Sequence, residues 1–261
     1  MSADPLVARL RAAGCVFAEE EAALLRGAAA DDAALEALVA RRVAGEPLEP
    51  LLGWVEFSAL RIEVVPGVFV PRRRTEALVT EAVRLAREVA SPVIVDLCCG
   101  VGAIGAAVAA GVAPRPLGRL VAADIDPLAV EVARRNLRPF GGEAVVGDLF
   151  AALPGELAGF VDLLVVNAPY VPTADIGWMP REAREHEPMR TLDGGTDGLD
   201  VHRRVAAGAR DWLVPGGRVL IETSEAQAGR TADALAEAGL TTRIGVDAER
   251  GGTYAVGTAP R

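Results

Sequence analysis

The run Asn167-Ala168-Pro169-Tyr170 is the part of the sequence best suited to chemistry, because it directly follows residues 161–166, an apolar stretch typical of a buried strand. Open α/β sheets bind ligands where their strands end. The Asn167 side chain offers an acceptor oxygen, and the Ala168 carbonyl offers a second one, held in extended geometry by the proline that follows. Tyr170 supplies an aromatic face. We therefore predict that these four residues are catalytic and receive a planar amide or amino group.

A glycine-rich turn follows another predicted strand, residues 93–97. Gly100, Gly102 and Gly105 match the dinucleotide-binding fingerprint, and Asp124 lies about 20 residues further on, where that fingerprint places a ribose-binding carboxylate. A nicotinamide-dependent dehydrogenase is therefore one interpretation of this turn.

Two further aspartates favour a different cofactor. Asp96 ends the first strand, where a pyrophosphate has no use for a carboxylate but an ammonium group can be received, directly or through water. Asp148 and Leu149 suit an adenine, since the carboxylate accepts from the exocyclic amine and the apolar side chain packs on the ring. Asp96, Asp124 and Asp148 thus follow three successive strands, which is the layout of S-adenosylmethionine in Rossmann-like methyltransferases.

The predicted cofactor is S-adenosylmethionine, with S-adenosylhomocysteine as the product. The predicted cofactor-binding residues are Asp96, Cys98, Cys99, Gly100, Val101, Gly102, Asp124, Ile125, Asp148, Leu149 and Asn167. Asp126, which precedes Pro127, is assigned to helix capping instead. No metal site is predicted.

The first part of the chain is predicted to be helical. Residues 5–44 are rich in Ala, Leu, Glu and Arg, with apolar residues at helical spacing, which indicates three or four short helices. Three strand-like runs follow, at residues 54–57, 61–65 and 68–70. Pro66-Gly67 is predicted to be the turn of a β-hairpin formed by the last two runs.

From residue 92 onward, predicted strands and helices alternate, which indicates a doubly wound α/β sheet with right-handed crossovers. The fold class is therefore α/β, and the resemblance of the aspartate layout to Rossmann-like class I methyltransferases implies a sheet of seven mostly parallel strands. Thr75 is predicted to cap a helix that runs to about residue 90. We divide the chain into an N-terminal helical substrate-recognition domain, a β-hairpin linker and a methyltransferase domain, at residues 1–50, 51–74 and 75–261.

Composition limits the partners and the compartment. The formal net charge of −9 argues against nucleic acid as the main partner, although Arg72-Arg73-Arg74 could form a local basic patch. No stretch is long and apolar enough for a membrane span, and the N-terminus lacks the pattern of a signal peptide. Three cysteines, two of them adjacent, are a poor disulfide set. We expect a reduced, cytoplasmic protein.

The order of these motifs resembles the HemK/PrmC protein-glutamine methyltransferases, in a PrmC-related branch of actinobacterial type. The similarity covers nearly the whole chain and includes residues 45–57, Val70-Pro71-Arg72 with Thr75-Glu76, the turn from Asp96 to Gly102, Asp124, Asp148-Leu149-Phe150, Asn167-Ala168-Pro169-Tyr170, residues 186–199, Glu222 and Gln227. This resemblance implies methylation of a glutamine side-chain amide in a protein substrate, the Gly-Gly-Gln loop of a peptide chain release factor above all.

The chain departs from the family pattern at three places. Ala168 stands where the family has proline, Arg73-Arg74 replaces a proline and an acidic residue, and the Gly251-Gly252 region lacks the usual arginine. The Ala168 carbonyl persists, but the loop has one rigid torsion fewer.

Three other functions remain open at this point. An amino-methyltransferase acting on adenine or guanine in nucleic acid uses similar chemistry at the Asn-containing motif, but the acidic balance favours a protein substrate. A dehydrogenase is disfavoured by Asp96 and Asp148. A non-catalytic module that binds S-adenosylmethionine is the third alternative. His186 and His202 are catalytic candidates by residue type only.

Overall fold

The computed structural model describes residues 4–261, and its N-terminal part is helical as expected. The first four helices are α1 (Pro5–Ala12), α2 (Ala18–Ala28), α3 (Asp32–Val43) and α4 (Leu48–Leu52). Asp4 and Asp31 begin α1 and α3 by accepting from the Leu6 and Ala34 amides at 3.0 and 2.8 Å. The helices share a small apolar core that includes Leu10, Leu25 and Val39.

The β-hairpin exists, but its predicted turn was wrong. Its strands are β1 (Trp54–Phe57) and β2 (Leu60–Glu63), which pair antiparallel around Ser58-Ala59. Ser58 and Ala59 both have positive φ, at 49° and 60°, as the tightest hairpin turns require. Neither residue is typical of such a turn, so composition pointed to Pro66-Gly67 instead. Residues 68–70 pair with no strand in the described chain; their alternation reflects Val68 and Val70 packing inward.

The rest of the chain alternates strands and helices. The strands are β3 (Val93–Leu97), β4 (Arg119–Asp124), β5 (Glu143–Val146), β6 (Val161–Val166), β7 (Leu213–Thr223), β8 (Thr241–Asp247) and β9 (Gly252–Thr258). The helices are α5 (Glu76–Ala86), α6 (Ala103–Val112), α7 (Pro127–Leu137), α8 (Arg181–His186), α9 (Asp200–Trp212) and α10 (Ala228–Glu237).

These strands form one seven-stranded sheet in the order β5-β4-β3-β6-β7-β9-β8. All neighbours from β5 to β7 are parallel, whereas β9 runs antiparallel to both β7 and β8. The α/β class and the mostly parallel seven-stranded sheet are therefore confirmed. Each face of the sheet carries an apolar core, because the central strands bury both faces under helices.

The sheet contains a topological switch point between β3 and β6. From β3 the chain moves outward through β4 and β5, then returns to the other side of β3 as β6. Helices on opposite faces separate at such a point, which leaves a crevice at the carboxyl ends of the two strands. The glycine-rich turn follows β3 and Asn167 follows β6, so the topology brings the two predicted sites together.

Asn136, at the end of α7, attaches the hairpin to the glycine-rich turn. Its amide nitrogen donates to the carbonyls of Glu63 and Val101 at 3.0 and 2.8 Å, and its amide oxygen accepts from the Glu63 backbone at 2.9 Å. One side chain therefore fixes β2 against the start of α6. Across residues 4–261, no helix combines the length and apolar character needed to cross a membrane.

Candidate active site

A cavity of about 540 Å³ lies at the carboxyl ends of β3, β4, β5 and β6. Its volume is in the range of pockets that hold small-molecule ligands. Most of the residues predicted from sequence line it together: Cys98, Cys99, Gly100, Val101, Asp124, Ile125, Asp148, Leu149, Asn167, Ala168, Pro169 and Tyr170. Two predicted residues, Asp96 and Gly102, are instead buried beneath the cavity surface.

Asp96 is completely buried at the end of β3. Its Oδ2 accepts from the Gly105 amide at 2.8 Å, whereas its Oδ1 has no hydrogen-bond partner among residues 4–261. Burial disfavours the charged form and raises the pKa of Asp96 to about 7, although the Gly105 amide opposes this shift. A buried carboxyl group beneath the cavity surface therefore has one oxygen without a partner among residues 4–261.

Replacing Asp96 with asparagine is expected to stabilise the protein more at pH 8 than at pH 5. The folded protein holds the Asp96 proton up to about pH 7, whereas the unfolded chain loses it near the ordinary value of 3.8. The stability of the wild type should thus fall as the pH rises through this window, and an asparagine carries no such dependence. Urea denaturation of both cofactor-free proteins at the two pH values measures this. An equal difference at both would contradict the assignment.

Asp124 ends β4 and faces the cavity. Its two carboxylate oxygens accept from the backbone amides of Gly100 and Asp126, at 2.8 and 2.9 Å. Burial raises the pKa of Asp124, and the two amides oppose this effect. Because each carboxylate oxygen has a second lone pair, Asp124 can also accept from a ligand hydroxyl pair.

Two cavity residues, Cys98 and Leu149, have left-handed backbone conformations although neither is glycine. Their φ angles are 53° and 49°. Such conformations cost roughly 1–3 kcal/mol each and cluster at binding sites. They allow the chain to turn sharply after β3 and β5, which keeps the Leu149 side chain buried beside the cavity.

Asp148 also lines the cavity and is paired with α9. Arg204 donates to Asp148 Oδ2 at 2.8 Å, which leaves Oδ1 available to a ligand. The pair holds the Asp148 carboxylate at the rim of the cavity, next to Leu149.

The other end of the cavity is formed by the residues after β6. The Asn167 amide nitrogen lies 3.4 Å from the Thr75 hydroxyl, to which it donates. Tyr170 donates from its hydroxyl to Glu222 at 3.3 Å, and its carbonyl accepts from Gln227 at 2.9 Å. Burial and the neighbouring Glu222 raise the pKa of Tyr170 to about 12, so its hydroxyl remains protonated at neutral pH.

Three of these contacts involve residues to which the sequence gave no role in the site. Thr75 was expected to cap α5, but its side chain makes no cap hydrogen bond within residues 4–261 and points toward Asn167 instead. Glu222 and Gln227 were recognised only as part of a family pattern. A polar residue that ends the apolar strand β7 was the available signal for Glu222, because all parallel strands end at the same edge.

The two histidines lie outside the cavity wall. His202 is fully buried, and its Nδ1 lies 3.0 Å from the Thr231 hydroxyl. Burial lowers the pKa of His202 to about 4, so the ring is neutral at physiological pH. His186 lies at the end of α8. Neither histidine is among the residues that line the cavity.

The connection between β6 and α9 covers one side of the cavity through ion pairs with three separate parts of the chain. Glu182 of α8 pairs with Arg42 of α3 at 2.7 Å. Arg190 pairs with Asp126 at 2.6 Å, and Glu187 pairs with Arg72. Arg72 therefore faces an acidic partner, which argues against its use as a nucleic-acid contact.

Comparisons with known proteins agree with this geometry. Residues 60–178 match the family model described as "Methyltransferase small domain". A release factor glutamine methyltransferase from Streptomyces coelicolor is 41% identical over 76% of this chain and 70% of its own length. Further curated relatives carry the same name.

Two other similarities are informative. A 4-amino-L-phenylalanine/4-methylamino-L-phenylalanine methyltransferase from Streptomyces pristinaespiralis is 37% identical over 70% of this chain and 63% of its own length. In fold, the chain is similar to the crystal structure of a methyltransferase from Pyrococcus furiosus, with a TM-score of 0.56 and 16% identity over 77% of this chain and 90% of the other. The chain is thus an S-adenosylmethionine-dependent methyltransferase, and it belongs to the release factor glutamine methyltransferase family.

Proposed function

We propose that this protein transfers a methyl group from S-adenosylmethionine to the side-chain amide nitrogen of a glutamine in a translation release factor, in the cytoplasm. The observation that carries the proposal is the position of Asn167 and the Ala168 carbonyl in the wall of the cavity that also contains Asp124. The names of the relatives support the release factor as substrate.

The residues present fit the cofactor. The unused Asp96 Oδ1 suits an ammonium group reached through water, and the free lone pairs of Asp124 suit two ribose hydroxyls. Asp148 Oδ1 and Leu149 suit the adenine amine and ring. The other residues proposed to contact the cofactor are Cys98, Cys99, Gly100, Val101, Gly102, Ile125 and Asn167.

The catalytic role of the protein is mainly to position the substrate amide. Bound S-adenosylmethionine supplies a methyl group that its sulfonium already makes electrophilic. Asn167 Oδ1 and the Ala168 carbonyl accept the two amide N–H groups and so direct the nitrogen toward the methyl group. Tyr170 holds the amide plane, with Pro169 restricting the backbone. Such positioning contributes roughly 7–11 kcal/mol at best, and the two acceptors stabilise positive charge growing on nitrogen.

Residues 1–50 are proposed to recognise the protein substrate, with residues 51–74 as the linker and 75–261 as the methyltransferase domain. The helical segment reaches the active site through Arg42, whose side chain is 12% exposed. Arg42 holds Glu21 of α2 at 2.7 Å and Glu182 of α8 at 2.7 Å. Pro47 and Glu49 line the same cavity as Asn167. A substrate loop bound beside α4 therefore contacts both parts.

Removing the Glu182 side chain is expected to weaken protein-substrate binding without affecting the cofactor. The Glu182→Ala variant loses the ion pair between α8 and α3, and should raise the KM for the factor by about threefold, as the loss of one partly exposed pair allows. Glu185→Ala is a matched control, because Glu185 lies on the same helix and, among residues 4–261, forms an ion pair only with Arg181, one turn away. Steady-state kinetics measures both. Equal KM values in the two variants would argue against this coupling.

The proposed function is tested by transfer of labelled methyl from S-adenosylmethionine. The acceptors are purified release factors, ribosomal proteins, nucleic acid and 4-amino-L-phenylalanine, assayed side by side, with mass spectrometry locating the added methyl. Label on the glutamine of a Gly-Gly-Gln loop is the expected result, and a factor with that glutamine changed to alanine is the control acceptor. Label on nucleic acid or on the aromatic amine alone would overturn the choice of substrate. No label with measurable cofactor binding would favour a non-catalytic module.

A further inference from the structure

We propose that Thr75 and Glu222 are positioning residues that fix the orientation of the Asn167 side-chain amide, so that its oxygen rather than its nitrogen faces the substrate. This inference deepens the proposed function and rests on it, because the oxygen of Asn167 is the group that accepts the substrate amide. The three residues come from the start of α5, the end of β7 and the end of β6.

An asparagine amide has two ends with opposite hydrogen-bonding properties. The oxygen only accepts and the nitrogen only donates, so a flip of the amide would present two N–H donors to the N–H groups of the substrate. The cavity wall alone does not prevent this flip, because the two orientations have the same shape. A neighbour that can only accept from Asn167 is therefore needed for catalysis.

Thr75 is the residue next to the Asn167 amide nitrogen. Its hydroxyl lies 3.4 Å from the Asn167 amide nitrogen, and its side chain is buried, with 2% of the residue exposed. A hydroxyl can both donate and accept, so Thr75 alone would tolerate either orientation of the amide. The orientation of the Asn167 amide therefore depends on which group accepts a hydrogen bond from the Thr75 hydroxyl.

Glu222 is the proposed acceptor of that hydrogen bond. Its carboxylate is buried at the end of β7, and burial raises the pKa of Glu222, whereas the Thr75 hydroxyl, the Arg74 guanidinium and the Tyr170 hydroxyl oppose this effect. Arg74 lies 3.5 Å from Glu222, and Tyr170 donates to it at 3.3 Å. Arg74 and Tyr170 both approach Oε1, so Glu222 is placed as an acceptor and its other oxygen can accept a hydrogen bond from the Thr75 hydroxyl. The lone pair of Thr75 then faces Asn167.

The relay therefore runs in one direction, from the Asn167 nitrogen to Thr75 and from Thr75 to Glu222. Glu222 also binds Tyr170, so the same carboxylate positions both ends of the Asn167–Tyr170 motif. Its second oxygen, Oε2, has no partner among residues 4–261 and is available for the Thr75 hydroxyl.

The test uses Thr75→Val, which keeps the shape of the side chain and removes the hydroxyl. A second variant, Thr75→Ser, keeps a hydroxyl at this position. The matched control is Thr80→Val, because Thr80 lies on the same helix and its hydroxyl donates to the Glu76 carbonyl. We expect kcat for methyl transfer to fall about 10-fold in Thr75→Val, the value of one hydrogen bond, with cofactor affinity unchanged. Thr75→Ser and Thr80→Val should retain the wild-type kcat.

A second measurement does not depend on the substrate. The chain contains two asparagines and one glutamine, so its ¹H–¹⁵N spectrum holds three pairs of side-chain amide signals. The Asn167 pair is identified by its loss in Asn167→Ala, and Asn136 is the internal reference. In Thr75→Val and in Glu222→Gln the Asn167 signals should move or broaden while those of Asn136 stay. A glutamine at 222 can donate to Thr75 and reverse the relay.

The outcomes separate the two claims. Unchanged Asn167 signals in Thr75→Val and Glu222→Gln, or an unchanged kcat in Thr75→Val, would overturn the relay while the proposed function stands. The opposite result has two parts: the wild-type protein methylates no release factor, and the Asn167 signals change in Thr75→Val but not in Thr80→Val. That result would overturn the proposed substrate and support the relay.

Discussion

Replacing Asn167 with alanine is expected to lower kcat for methyl transfer by about 10²- to 10³-fold, the effect typical of removing one preorganised group that stabilises transition-state charge. The variant loses the side-chain acceptor that directs the amide nitrogen, while the Ala168 carbonyl and the Asp124 site remain. Cofactor affinity should fall far less than kcat, because Asn167 is only one of the proposed cofactor contacts. Single-turnover methyl transfer and calorimetric titration with S-adenosylhomocysteine measure the two effects separately.

A suitable control for Asn167→Ala is Thr173→Ala. Thr173 lies six residues further along the same connection and does not itself line the cavity, and its exposed hydroxyl donates to Asp193 at 2.7 Å. Loss of the Thr173 hydroxyl should leave kcat for methyl transfer unchanged. Methyl transfer at the wild-type rate by Asn167→Ala, with matching thermal stability, would refute the role given to Asn167.

Replacing Asp124 with asparagine is expected to weaken cofactor binding by about 10- to 100-fold, since charge-assisted hydrogen bonds of this kind contribute roughly 1.5–3 kcal/mol. Asp124 accepts from the Gly100 and Asp126 amides. An asparagine side chain has one acceptor oxygen, so one of these backbone donors would face an NH₂ group and the glycine-rich turn would shift. Titration of the purified variant with S-adenosylmethionine measures the affinity.

Asp162→Asn is the matched control for this loss. Asp162 also accepts from a backbone amide, that of Val93 at 2.9 Å. It lies at the amino-terminal ends of β6 and β3, whereas the cavity lies at their carboxyl ends. The Asp162→Asn variant should bind S-adenosylmethionine with the affinity of the wild type. If Asp124→Asn and Asp162→Asn bound S-adenosylmethionine equally well, Asp124 would not be a cofactor ligand.

The departure at position 168 has a limited structural effect. Ala168 is buried, with 2% exposed, and Pro169 still follows it. The backbone carbonyl at this position thus keeps the restriction that the following proline imposes. The change from the family's proline therefore removes one restricted torsion without removing the acceptor on which the proposed chemistry depends.

The sequence by itself determined the α/β fold and the residues at the strand ends. Apolar runs such as 161–166 have the length of buried strands, and the residues that directly follow them must lie at the carboxyl edge of a parallel sheet. Asp124, Asp148 and Asn167 could be assigned to one site in this way because local pattern and sheet topology suffice for that inference.

Only the tertiary structure decided where the side chains around those strand ends point. The Ser58-Ala59 turn depends on backbone angles that neither residue favours by itself, and β1 and β2 form around it. Thr75 contacts Asn167, 92 residues away, instead of capping its own helix. A local pattern fixes the element on which a residue lies, but the direction of a buried polar side chain depends on partners that only the folded chain brings within hydrogen-bonding distance.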